Sequence, residues 1–310
     1  MSDFITILIP VYRSSSTLHE LTQRLCIELP KISDNFEIIY IEDSGGDNSW
    51  EIIKSISNSN PRVKGIKLSR NYGQHNALLC GIRAAKGNIC ITIDDDLQNP
   101  PEEIYKLIKK LKEGHDVVYG YPEKETHGLF RDFASKITKF ALKNAMGVTT
   151  VRNISAFRAF NTDLRKAFQN YQSPSVNIEV LLTWATTNFA AIEVVQNPRA
   201  HGESGYTLRK LIAHAINMLT GFTTIPLQAA SMLGLIFGAM GLLILSYVVL
   251  HYFFLGSSVP GFTFIASIVC IFSGVQLFTI GVIGEYISRM YFRMMNRPAY
   301  FSQENINLDD

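Results

Sequence analysis

Three aspartates in a row, Asp94, Asp95 and Asp96, follow the apolar run 88–93 and precede Asn99-Pro100-Pro101. Like charges about 5 Å apart repel by roughly 3 kcal/mol at an effective dielectric of 20, so such a row calls for a compensating cation. Side chains alternate along an extended segment, which puts Asp94 and Asp96 on one side and Asp95 on the other. Two carboxylates on one side suit Mg2+ or Mn2+, which take oxygen ligands and keep positions for substrate phosphates. Gln98 joins them if the backbone stays extended. A solvated acidic turn ahead of a helix is the alternative for a D-x-D taken by itself. Asn99 as N-cap, Pro100 at the first helical position and Glu102 at the third predict the start of that helix.

Other candidate side chains gather at similar places. Pro10, Tyr12 and Arg13 close the first apolar run, and Glu42-Asp43 close the second ahead of "SGGDNS". Asp43 could accept from a nucleobase N–H; ordinary turn chemistry is the other reading. "SRNYGQHNA" sets Arg70, Asn71, Gln74 and His75 at a strand-to-helix junction, and helix N-termini suit phosphate and sugar oxygens. For His75 a capping or structural role is the stronger reading.

The elements that must position these residues follow from periodicity. Apolar runs at 4–9, 36–41, 63–68, 88–93 and 116–120 read as buried strands, with helices expected near 16–29, 49–58, 73–86 and 101–113. The alternation implies an α/β fold with a mainly parallel sheet. In such sheets the ligand crevice lies outside the carboxyl ends of the strands, where the polar clusters fall. Neither G-x-G-x-x-G nor G-x-x-x-x-G-K-[ST] is present, which argues against dinucleotide oxidoreductases and P-loop NTPases.

Composition adds a second part. The chain has 310 residues and a formal charge of +2, which gives no case for nucleic acid as a partner. Cys26, Cys80, Cys90 and Cys270 lack metal-binding spacing and read as buried, reduced thiols. Residues 1–3 run straight into a strand-like stretch, so no leader is expected. Stretches 227–255 and 262–286 are apolar and long enough to cross a bilayer core of about 30 Å. A transmembrane hairpin is preferred to a pair of buried core helices. Arg199, Arg209 and Lys210 precede it and Arg289, Arg293 and Arg297 follow it, so both ends are expected on the cytoplasmic face. Glu285, four residues before Arg289, reads as an interfacial ion pair. The predicted organisation is 1–200 a catalytic domain, 201–226 a juxtamembrane segment, 227–288 two spans and 289–310 a cytoplasmic tail. Residues 129–146 carry apolar positions at helical spacing among lysines and suit either the headgroup region or packing on the sheet.

The combination "ILIPVYRSSSTLHEL", "IYIEDSGGDNSWEII", "LSRNYGQHNALLCGI", "ITIDDDLQNPPEEI", "FRAF" and "HGESGYTLRKLI", followed by two spans, resembles the bacterial polyisoprenyl-phosphate glycosyltransferases of the inverting glycosyltransferase family 2. The resemblance covers nearly the whole chain. It implies a GT-A fold, in the cytoplasm, and transfer from a nucleotide sugar, UDP-linked in many bacterial relatives, to undecaprenyl phosphate at the inner membrane. By resemblance Asp43 matches the nucleobase-contacting acid, and Asp94, Asp96 and Gln98 the metal and diphosphate site. Arg131 matches a basic residue near the acceptor phosphate, and Gly202-Glu203-Ser204 with Tyr206 the loop leading into the membrane. Pro10, Tyr12, Asp43, Arg70, Gln74, Asp94 and Asp95 are the candidate donor contacts. Arg131, Arg158, Ser204, Tyr206 and Arg209, with Arg199, are the candidates for the acceptor phosphate. A second copy of the chain is a further candidate partner. The chain departs from the pattern at Ser15, Pro122 and Arg152-Asn153, positions that bear on sugar identity.

A phosphate acceptor is already anionic and needs no side chain to deprotonate it. The expected reaction is therefore direct displacement of a nucleoside diphosphate from a hexose-type sugar, with inversion, assisted by a metal on Asp96. A processive polysaccharide synthase is disfavoured because Q-x-x-R-W is absent. A membrane-anchored, non-catalytic nucleotide-sugar binder is the rival from another class.

Overall fold

A computed structural model describes residues 3–122, 154–197, 220–221, 223–255 and 261–308. The chain divides into two units, Met1–Leu208 with Asn296–Asp310, and Arg209–Met295.

The first unit is built on one eight-stranded sheet. Strands β1 (Ile5–Val11), β2 (Phe36–Glu42), β3 (Val63–Leu68) and β4 (Ile89–Thr92) alternate with helices α1 (Leu18–Glu28), α2 (Ser49–Ser59) and α3 (Gln74–Ala84). Helix α4 (Ile104–Leu111), β5 (Val117–Pro122), β6 (Arg158–Asn161), helix α5 (Ile178–Ala185), β7 (Phe189–Val194) and β8 (Ser302–Ile306) complete it. The spatial order is β7-β5-β6-β4-β1-β2-β3-β8. β1 pairs in parallel with β2 and β4, β2 with β3, and β5 with β7, whereas β6 and β8 run antiparallel to their neighbours. The expected mainly parallel α/β architecture is present.

Strands β1 and β2 are buried at every position because helices cover both faces, so both faces are apolar apart from Thr6, Glu37 and Glu42. Alternate residues feed two cores. Ile5, Ile7 and Ile9 pack with Leu21 and Leu25 of α1, Ile53 of α2 and Leu107 of α4. Leu8, Ile39 and Ile41 pack with Leu78 and Ile82 of α3 and Leu181 of α5. The parallel register of β1, β2, β3 and β4 brings their carboxyl ends to one edge.

The sequence places residues 289–310 outside the catalytic domain as a tail. The structure corrects this: Ser302–Ile306 form the edge strand β8 on β3, pairing Gly65 with Ile306 and Lys67 with Glu304. Trp50 Nε1 donates to Glu304 at 2.9 Å and Lys54 pairs with it at 3.0 Å.

The second unit holds two helices, α6 (Ile225–Leu255) and α7 (Phe262–Met294). The second runs on to Met294, past the expected 286, and the expected Glu285–Arg289 pair forms at 2.7 Å. They meet where Gly241 lies under the Phe272 ring, which a Cβ would approach to 3.1 Å. Both contain stretches long and apolar enough to cross a membrane, and neither stretch is buried, so they are not core helices of this fold.

Candidate active site

The four strand ends are tied to one another by named bonds. β1 is followed by Tyr12, whose backbone N donates to Asp95 Oδ2 at 3.2 Å. Arg13 adopts a left-handed φ of 58° and its Nε donates to Gly45 O at 2.9 Å. A Cβ on Gly45 would stand 2.7 Å from Arg13 N, so the loops after β1 and β2 pack backbone to backbone only because that residue is glycine. The Glu42 carboxylate accepts from Gly45 N at 2.7 Å, which closes the same turn.

Asp43 is 4 % exposed, and its two carboxylate oxygens accept from Tyr72 N at 2.7 Å and Gly73 N at 2.8 Å. Burial raises its pKa, and the two backbone donors oppose that rise. Asp43 thus shapes the 69–73 loop, which turns into α3 through Gly73 at φ 94°. That loop presents Arg70, stacked 4.5 Å from the Tyr72 ring centroid, and leads to Gln74, whose Nε2 donates to Asp94 Oδ1 at 2.7 Å. The candidates Tyr12, Asp43, Arg70, Gln74, Asp94, Asp95 and Asp96 therefore share one edge. Pro10 differs: it is buried within β1 opposite Ile41, so its ring offers no surface to a ligand.

The acidic turn departs from the extended path assumed from sequence. β4 ends at Thr92, and Leu97, its side chain buried, takes φ 60°. Burying Leu97 turns the chain, so Gln98 does not continue the alternation; its N donates to Asp96 Oδ1 at 3.1 Å. Burial pushes the Asp95 carboxyl up to about 6, and the neighbouring Asp96 charge adds to the rise against bonds from Ser14 and Tyr12 N. The helix that follows also starts later than expected. Pro100 keeps ψ 133° because a residue before proline is forced out of the helical region, so Pro101 opens a 3-10 turn, Pro101–Glu103. Glu102 pairs with Arg24 at 2.7 Å instead of completing a capping box.

Arg158 is corrected more fully. It is 1 % exposed on β6, with NH1 on Glu179 Oε1 at 2.7 Å and Nε donating to Thr92 Oγ1 at 3.0 Å. Its guanidinium is engaged inside the protein and does not face an acceptor phosphate. His75 Nδ1 stands 3.5 Å from Glu179 Oε2 and accepts from Ile178 N at 3.4 Å, in line with a structural role. Glu179 was missed from sequence because it sits in the apolar run "NIEVLLTW" and nothing marks it as a partner of Arg158. Residues 299–301 and 304 were missed because a sheet edge leaves no local signature. Arg131, Arg199, Ser204, Tyr206, Arg209 and Arg152-Asn153 lie outside the described residues.

Among the described residues no three His, Cys, Asp or Glu side chains converge as a metal-ligating group. The carboxylates of Asp94 and Asp96 are nevertheless the hard oxygen ligands that a divalent cation takes, with its remaining positions going to substrate phosphates.

Comparison with known proteins decides the family. Residues 6–168 match Glycosyl transferase family 2. The chain belongs to this family. The family-2 glycosyltransferase is 35 % identical over 300 residues to the undecaprenyl-phosphate 4-deoxy-4-formamido-L-arabinose transferase of Aeromonas hydrophila subsp. hydrophila, across 96 % of this chain and 92 % of that relative. It is 32 % identical over 308 residues to the uncharacterized glycosyltransferase YkcC of Bacillus subtilis, across 98 % and 95 %. Its fold is shared with glucosyl-3-phosphoglycerate synthase from Mycobacterium tuberculosis, solved with Mn2+, uridine diphosphate and phosphoglyceric acid. That likeness has a TM-score of 0.51 at 18 % identity, over 70 % of this chain and 76 % of the other. Both the GT-A fold and the family expected from the sequence are borne out.

Proposed function

We propose that this glycosyltransferase moves a sugar from a nucleotide donor to undecaprenyl phosphate at the cytoplasmic face of the inner membrane. The observation that carries the donor half is the pair of bonds Gln74–Asp94 and Tyr12–Asp95, which hold the acidic turn beside the loops after β1 and β3. The similarity to the undecaprenyl-phosphate arabinose transferases, which extends along nearly their whole length, supports the lipid phosphate acceptor.

Each residue then has a role. Asp94 and Asp96 would hold Mg2+ or Mn2+, which as a Lewis acid would neutralise the departing diphosphate. Gln74 keeps Asp94 in place, and Asp43 fixes the loop against which the nucleotide lies. Arg70 and Tyr12 offer a guanidinium and an exposed ring to that nucleotide. Arg131, with Ser204, Tyr206 and Arg209, receives the acceptor phosphate, for which arginine's planar fork is suited. An acceptor phosphate oxygen attacks the anomeric carbon as the bond to the diphosphate breaks. The bonding pair leaves with the diphosphate, and the configuration inverts. The donor is UDP-linked. Its sugar is read as hexose-type, and the formamido-arabinose in the relatives' names is the alternative for the same pocket.

The edge strand supports the membrane topology. β8 follows α7 and pairs with β3, which precedes α6. A chain that leaves a sheet, crosses a bilayer twice and returns to that sheet has both helix ends on one side. The arginines flanking the helices make that side cytoplasmic, which gives a multi-pass inner-membrane protein.

The test is a panel of nucleotide sugars, including UDP-hexoses and UDP-formamido-arabinose, with undecaprenyl phosphate and Mn2+, read by mass spectrometry of extracted lipid. A glycosyl-phosphate lipid of inverted configuration is expected. No lipid product from any donor refutes the reading, and full turnover by Asp96→Asn refutes the metal assignment.

A further inference from the structure

The segment that follows the second apolar helix returns to the donor loop and grips it at both ends. Ser69, the first residue after β3, donates its N–H to Phe301 O at 3.0 Å. Asn76, in the first turn of α3, donates through Nδ2 to Ala299 O at 2.5 Å and to Pro174 O at 3.2 Å. Between them lie Arg70 and, held from the other side by Asp43 and Asp94, Tyr72, Gly73 and Gln74. Ala299 is 1 % exposed, and Asn76 is buried with it. The Tyr300 ring lies 5.5 Å from the Arg83 guanidinium of α3. Farther out, Asn307 Nδ2 donates to Ser57 O at 2.8 Å and Val63 O at 2.9 Å.

We propose that residues 299–306 are a positioning element of the donor site, coupled to nucleotide binding through the loop from Ser69 to Asn76; this rests on the donor reading above. The physical reason is the asymmetry of the strand. β8 is paired on one side only and is five residues long, so among the sheet's elements it belongs to those that open locally at low cost. When the tail opens with it, Ser69 N loses Phe301 O and the buried Asn76 amide keeps only Pro174 O, so the loop loses its two bonds on the tail side. A nucleotide that needs the closed loop favours the docked tail, and by linkage the docked tail favours the nucleotide by the same factor. Asn76 is therefore a positioning residue, joining the tail, the donor loop and the 174 turn, and it touches no substrate.

Hydrogen exchange on the full chain in nanodiscs, with and without UDP and MnCl2, tests the coupling. The expected result is at least fivefold slower exchange in 299–306 together with 69–76. Slowed exchange in 69–76 with no change in 299–306 overturns the proposal and leaves the donor reading standing. No change in either segment overturns both. Asn76→Ala gives a second readout: donor KM rises about fivefold with the acceptor KM unchanged. A residue that only stabilised the fold would lower Tm and leave donor KM at 20 °C where it was, and that outcome also overturns the proposal.

Discussion

Replacing Asp95 by asparagine is expected to stabilise the protein near neutral pH while weakening its function. The carboxyl is held in a half-buried turn beside Asp96, and its pKa rises from the ordinary 3.8 to about 6, chiefly because burial disfavours the charged form. A carboxyl that keeps its proton more tightly in the folded chain contributes stability that is present at low pH. Between about 4 and about 6 the unfolded chain releases its proton first, so stability falls as pH rises; above that range the loss is complete. At about 1.4 kcal/mol per tenfold change in proton affinity, the loss is about 3 kcal/mol. Asparagine removes the charge and keeps an oxygen to accept from Tyr12 N, the bond that ties the turn to β1. Chemical denaturation of the full chain in EDTA should show the Asp95→Asn variant about 1–3 kcal/mol more stable at about pH 7.5 and no more stable at about pH 4. Added Mn2+ should shrink the gain, because a cation on the neighbouring carboxylates favours the charged form of the parent's Asp95. Turnover should fall, since a negative charge beside the two metal-holding carboxylates is gone. An equal effect at both pH values, or destabilisation at about pH 7.5, would refute the reasoning.

The buried pair beneath the turn supports a second prediction. Glu179→Leu strands the Arg158 guanidinium and should cost about 3–5 kcal/mol, whereas the double replacement with Arg158→Met should recover most of it; urea denaturation of the four chains measures the cycle. Within that pair, Arg158 and His75 outweigh burial and lower the Glu179 pKa, so its contribution is present above the ordinary glutamate range and is lost as pH falls below that range through the lowered pKa. Asp43→Asn leaves one of the two N–H groups of Tyr72 and Gly73 facing an amide NH2. A lost bond to a charged acceptor is worth about 1.5–3 kcal/mol, so the donor KM should rise tenfold or more with the acceptor KM little changed.

Much of this protein was determined by local sequence. The buried strands 36–41 and 63–68 alternate with helices in the order that places their polar ends on one edge. That is why Asp43, Arg70, Gln74 and the acidic turn were legible as one site before any coordinates. The two apolar stretches were equally plain, because each is long and apolar enough to cross a bilayer.

Other features depended on which surfaces meet. Arg158 looked like a phosphate ligand, and only the packing of β6 against α5 buried it on Glu179, 21 residues away. Gln98 lost its expected position because Leu97 had to reach the core, a demand that acts through the fold and not through the turn's own residues. The tail shows the same limit most clearly. Residues 302–306 carry no strand-like run, yet they complete the sheet because β3 has an open edge. A hydrogen-bonding edge is created by tertiary structure, and a segment more than two hundred residues away in the chain can satisfy it.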